Sequence, residues 1–228
     1  MPTRTQVATA HALQLLFADA ADPERAIGMA AYMKGLFPFF GIPTPQRREL
    51  MRPWLAEIGR EPAAGELLGV AESLWKCAQR ECQYAAVDML VKHAKRFEPQ
   101  YEARLAALIC KKSWWDTVDL LAAHVYGKLA QDSESVRQTL DGYAEHENLW
   151  LRRVAVLYQL NYAEQTDLER LTRILEANLA HPDFFIRKAM GWALRQYART
   201  DADWVRRWLQ AHGDAVPALT RREAGKHL

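Results

Sequence analysis

Apolar side chains return every third or fourth position along most of this chain, and no convincing alternating stretch bounded by hairpin turns interrupts them. That periodicity predicts an all-α fold. Ala, Leu, Arg, Glu and Gln, which lose little on entering a helix, dominate the periodic segments. Helix starts are signposted as well. Asp22-Pro23 and Thr44-Pro45 each set a capping side chain before a proline at the first helical position, where its missing N–H costs nothing. Thr166 with Glu169, and Thr200 with Asp203, repeat the spacing of a capping box.

Three segments share one frame: Tyr84 through Ala94, Arg153 through Ala163, and Arg187 or Lys188 through Ala198. Their terminal alanines stand about two periods and then one period of roughly 35 residues apart, the scale of paired-helix repeats. The segment from Trp114 to Ala130 fills the vacant register. A helix pair of this size cannot bury its apolar face alone, so neighbours are expected to stack into a HEAT-like solenoid with a concave groove. With no interior linker rich in Pro, Gly or Ser, residues 1–228 read as a single domain.

Composition narrows the partners. No apolar run approaches the roughly 20 residues of a membrane span. The start Met1-Pro2-Thr3-Arg4 lacks the succession of a secretory signal, so a cytoplasmic location is expected. Cys77, Cys82 and Cys110 lack C-x-x-C spacing and read as buried reduced thiols. Neither a metal nor a cofactor is implied, since His93, His124 and His181 are scattered and no His-x-x-x-His occurs. The formal charge of +2 is uninformative in total. From Asn148 onward, however, 13 Lys and Arg face 9 Asp and Glu, which suits a phosphate-binding surface.

In a repeat array, residues one period apart form a column across neighbouring helices. Asp119 and Arg153 are such a pair, followed by Arg187 and Lys188. Trp115 precedes Asp119 by four residues and Trp192 follows Lys188 by four, which places each ring on the column's face. Adjacent residues on a helix differ by about 100°, so Trp114 and Trp115 cannot share one buried stripe. Trp114 is assigned to packing and Trp115 to the groove.

At these residues the chain resembles the AlkD family of bacterial DNA alkylation-repair glycosylases. The resemblance rests on Lys111-Lys112-Ser113-Trp114-Trp115-Asp116-Thr117-Val118-Asp119, on Asn148 through Arg153, on Phe185 through Trp192 with Arg195, and on Arg221 through His227. Ala31-Tyr32-Met33-Lys34 and Gly41 through Pro45 are similar too, whereas the first twenty-odd residues and the stretch from Gly59 to Gly69 are unmatched. The resemblance implies a catalytic carboxylate at Asp119, aromatic contacts at Trp115 and Trp192, a phosphate-binding cation at Arg153 and a DNA contact at Tyr32. Arg187, Lys188 and Arg195 join the expected DNA-binding set. It further implies excision of N3- and N7-alkylated purines from double-stranded DNA without base flipping; separately from the resemblance, a monomer is expected.

One carboxylate suffices for that reaction. Ordinary glycoside hydrolysis needs a proton donor beside a second carboxylate. A purine alkylated at N3 or N7 is already cationic and leaves as a neutral base. What remains is to stabilise positive charge on the deoxyribose and to position water, tasks suited to an ionised, groove-facing Asp119. The rival expectations are a catalytically silent DNA-binding repeat protein, a protein-binding scaffold and, more remotely, a metal-dependent nuclease.

Overall fold

In a computed structural model, residues 3–59 and 62–228 are described, the side chains of Arg4, Val7, Ala8 and His227 excepted. Arg60 and Glu61, in the unmatched stretch, and the side chain of His227, in the terminal motif, thus lie outside the described residues. All regular structure among the described residues is helical. The chain's contacts divide it into two compact units: residues up to Phe97 with Ala103–Lys112, and Glu98–Glu102 with Ser113–Leu228.

The first unit holds α1 (Arg4–Asp19), α2 (Pro23–Tyr32), α3 (Thr44–Ile58), α4 (Ala64–Lys76), α5 (Arg80–Lys92) and most of α6 (Glu102–Ile109). Helix α1 packs on α3 and α4, and α5 on both of those. Leu13, Phe17, Met51, Leu68, Leu74 and Met89 lie in the core between them. A buried carboxylate organises the loop before α3. Glu81 accepts hydrogen bonds from the backbone N–H groups of Phe40, Gly41 and Ile42 at 3.0, 2.9 and 3.1 Å. Gly41 has φ +90°, and a Cβ there would lie 2.0 Å from the Asp22 carbonyl oxygen, so only glycine fits.

The second unit holds α7 (Trp115–Leu120), a π-helical turn (Leu121–Tyr126), α8 (Gly127–Gln131), α9 (Glu134–Tyr143), α10 (Leu149–Leu157), α11 (Leu168–Glu176), α12 (Phe184–Tyr197), α13 (Ala202–His212) and α14 (Ala218–Ala224). Helices α7, α10, α12 and α14 pack side by side in that order, while α9, α11 and α13 pack against this row. This is the alternation of a helical repeat. Helix α10 is central, with Leu151, Val154, Ala155, Val156 and Leu157 all buried.

Several caps fall one residue from their expected places. Asp22 caps α2 ahead of Pro23 as expected. Thr44 is itself the first residue of α3, after Pro43. Asp167 and Asp201, each one residue beyond the expected threonine, accept from the N–H groups of Arg170 and Trp204. An ionised carboxylate is the stronger acceptor at the positive end of a helix. The cysteines also need correction: Cys82 is buried, but Cys77 is half-buried and Cys110 exposed, the last lying just beyond the end of α6.

The close approach of α14 to α12 depends on Gly191. A Cβ at that position would stand 2.5 Å from Glu223 Cβ and 2.8 Å from the Thr220 carbonyl oxygen. Overpacking of this kind costs about 1–3 kcal/mol, more than the roughly 0.5–1 kcal/mol that Gly→Ala gains within a helix. Gly191→Ala is therefore expected to lower the urea midpoint of unfolding; an unchanged or higher midpoint would show that α14 yields without cost.

Candidate active site

Three inner helices of the second unit begin in register. Trp114, Asn148 and Asp183 are the N-cap residues of α7, α10 and α12. Asn148 accepts from the N–H groups of Trp150 and Leu151, and Asp183 from that of Phe185 at 2.6 Å. The fifth residue after each cap is Asp119, Arg153 or Lys188, so equal helix phase and side-by-side packing bring these positions into one row.

Asp119 and Arg153 meet as a fork-to-fork ion pair. Arg153 Nε donates to Asp119 Oδ1 at 2.6 Å and Nη2 to Oδ2 at 2.7 Å. The third guanidinium nitrogen, Nη1, donates to the Phe185 carbonyl on α12. Three successive inner helices are thus tied through one side chain. Paired donors matched to a planar carboxylate are among the strongest hydrogen bonds a protein makes.

The pair does not face a wide groove as expected. Asp119 is 8% exposed and Arg153 4%. An arginine with its fork turned inward is not placed as a free phosphate-binding cation; its charge is directed at Asp119. Burial raises the Asp119 carboxyl above its ordinary value, opposed by the hydrogen bonds and charge of Arg153, while Asp116 raises it further. Asp119 keeps 8% of its surface exposed, and each carboxylate oxygen, having accepted one hydrogen bond from Arg153, can accept another, which leaves room for one further contact at the carboxylate edge. The π-helical turn begins two residues after Asp119, and such turns commonly mark functional positions.

Beside the pair lies an aromatic trio. The Trp114 ring is 4.8 Å from Phe185 and 5.6 Å from Trp150, and Trp150 is 5.2 Å from Phe185, centroid to centroid. Trp150 and Phe185 are absent from the expected site. The roughly 35-residue repeat links Trp115, Trp150 and Phe185 in sequence, and that signal could have found them; the packed ring, however, is Trp114. Trp115 is the half-buried first residue of α7 and Trp192 is half-buried on α12.

The other expected cations are also anchored. Arg187 Nε donates to the His181 carbonyl at 2.8 Å, as Arg152 Nε does to His146 at 3.1 Å one repeat earlier. Lys188, Arg195 and Lys226 converge on the buried carboxylate of Glu223 at 3.2, 3.2 and 2.8 Å. The hydrogen bond from Lys226, with support from Lys188, holds Glu223 below its ordinary carboxylate value. Three cations on one anion leave a net positive cluster. Tyr32, in the first unit, is 69% exposed at the end of α2.

Among the described residues no group of three His, Cys, Asp or Glu side chains gathers as a metal site would require, and no helix is long and apolar enough to cross a membrane. Residues 13–228 match the family model described as DNA alkylation repair enzyme. A solved structure described as a "predicted DNA alkylation repair enzyme from Enterococcus faecalis" is 33% identical, with a TM-score of 0.83, covering 91% of this chain and 96% of that one. No curated protein matches the chain.

Proposed function

The chain belongs to the DNA alkylation repair enzyme family, and from that premise we propose that it is a glycosylase excising cationic N3- and N7-alkylated purines from duplex DNA. The observation that carries this reading is the Asp119–Arg153 pair, a buried carboxylate gripped by a guanidinium that also reaches Phe185 of the aromatic trio. Arg153 holds the carboxylate ionised and oriented before substrate arrives. Preorganised charge in a site that excludes water is worth more than the same charge in solvent.

On this reading Asp119 faces the deoxyribose as the bond to the charged base stretches, and it orients the attacking water. Trp115 and Trp192 contact the lesion's sugar and backbone. Lys188 and Arg195, with Arg187, neutralise flanking phosphates; Tyr32 supplies a further contact to the DNA. The base leaves as a neutral molecule and needs no general acid, so Asp119 suffices although Asp116 lies close enough to raise its carboxyl. The nucleotide stays largely stacked throughout.

The test is incubation with methylated duplex DNA followed by chromatography of the free bases. Release of 7-methylguanine or 3-methyladenine is expected, and its complete absence at saturating protein would end the proposal. A pH profile sharpens it. Asp119 acts as an anion, and burial raises its carboxyl above 3.8. Single-turnover release should therefore begin to fail, as pH drops, above the range of a free carboxylate. An acid limb at or below 3.8 would remove Asp119 as the titrating group.

A further inference from the structure

Cys77 and Cys82 stand on the two sides of the turn between α4 and α5, Cys77 as the C-cap of α4 and Cys82 in the first turn of α5. The buried Gln83 side chain fastens that turn, its Nε2 donating to the carbonyls of Leu74 and Cys77 at 3.0 Å each. The two thiols meet there: the fully buried Cys82 donates a hydrogen bond to the sulfur of the half-buried Cys77. Lys112 completes the cluster. Its φ is +49°, in the left-handed region that a lysine rarely adopts. Its carbonyl accepts from Arg80 Nη1 at 2.8 Å, and its ammonium donates to the Cys77 carbonyl. The backbone is thus bent where it delivers a cation to Cys77, and such strain gathers at functional positions.

The hydrogen bond from Cys82, with the charge of Lys112, holds the Cys77 thiol below its ordinary value against the opposing effect of burial. Cys82, raised by the same hydrogen bond and by burial, keeps its proton. A thiolate open to small solutes therefore lies against a shielded thiol. We infer that Cys77 is a modification site for small hydroperoxides and that Cys82 closes a disulfide on it. The Cys77 thiolate attacks one peroxide oxygen; an S–O bond forms, the O–O bond breaks, and the departing hydroxide takes up a proton equivalent to the one Cys77 released. The Cys82 sulfur then displaces the hydroxyl of the Cys77 sulfenic acid, and its own proton leaves with that hydroxyl as water. Hydrogen peroxide is reduced to two waters while two thiols are oxidised to one disulfide. The inference is independent of the glycosylase reading.

The experiment is tryptic mapping of the full chain without reduction, after brief exposure to hydrogen peroxide at neutral pH. Cleavage after Lys76, Arg80 and Lys92 places the two thiols in separate peptides, 77–80 and 81–92, so the disulfide registers as these peptides joined. The joined species should form about fivefold faster than free cysteine is oxidised, because a depressed thiol is more ionised at neutral pH though somewhat less nucleophilic. Cys82→Ala should halt the reaction at a Cys77 sulfenic acid that dimedone labels, and Cys77→Ser should leave Cys82 reduced. The parent chain alone decides the matter if either variant fails to fold. Peptides 77–80 and 81–92 recovered unlinked once Cys110 has been oxidised overturn the inference, and so does a disulfide from Cys77 to Cys110.

Discussion

Asp119→Asn is expected to slow release of alkylated purines by at least tenfold and at most about a thousandfold, while duplex binding survives. The upper figure comes from opposite charges about 4 Å apart at an effective dielectric of about 20, which attract by roughly 4 kcal/mol. The lesion is cationic before the bond breaks, so part of this attraction acts on binding and leaves the rate untouched. Asparagine keeps the carboxylate's shape but not its charge, and Arg153, only 4% exposed, loses its counter-ion. Breaking a buried pair from one side costs about 3–5 kcal/mol of stability. The comparison therefore belongs well below the variant's melting midpoint, under single-turnover conditions with saturating protein. Parental release by the folded variant would remove the carboxylate from the mechanism.

The sequence made the helices legible because their apolar stripes recur with the helical period, and the repeat legible because α7, α10 and α12 begin at nearly equal intervals. The Asp119–Arg153 pairing follows from that spacing. Its burial does not, since it depends on the Phe185 carbonyl, a backbone group of a third helix. Caps were displaced where an aspartate stands next to a threonine, a local competition that spacing alone does not decide. The Glu223 cluster was invisible for another reason: Lys188 and Arg195 reach Glu223 only because Gly191 lets α14 approach α12. The division of contacts at residues 97–113 leaves no Pro-, Gly- or Ser-rich mark in the chain.

Arg153→Met is expected to reduce release near neutral pH by about as much as Asp119→Asn, but with a loss that rising pH repairs. In the parent, burial already lifts the Asp119 carboxyl and Arg153 opposes it. Removing the guanidinium deletes two hydrogen bonds and the opposing charge, so the carboxyl climbs further and is protonated where the parent's is ionised. The acid limb of the pH profile should move upward. The stability deficit has its own sign. A carboxyl whose folded value exceeds its unfolded value binds more protons when folded, so stability falls as pH rises from the unfolded value to the folded one, and the penalty is absent below that window. Arg153→Met should thus come nearest to parental stability in acid and fall furthest behind above the shifted value. A phosphate-binding Arg153 predicts a different result: release reduced at every pH, with the salt slope of duplex binding lowered by about 0.9. An unmoved acid limb together with that lower slope would show that Arg153 serves the DNA backbone and not the carboxylate.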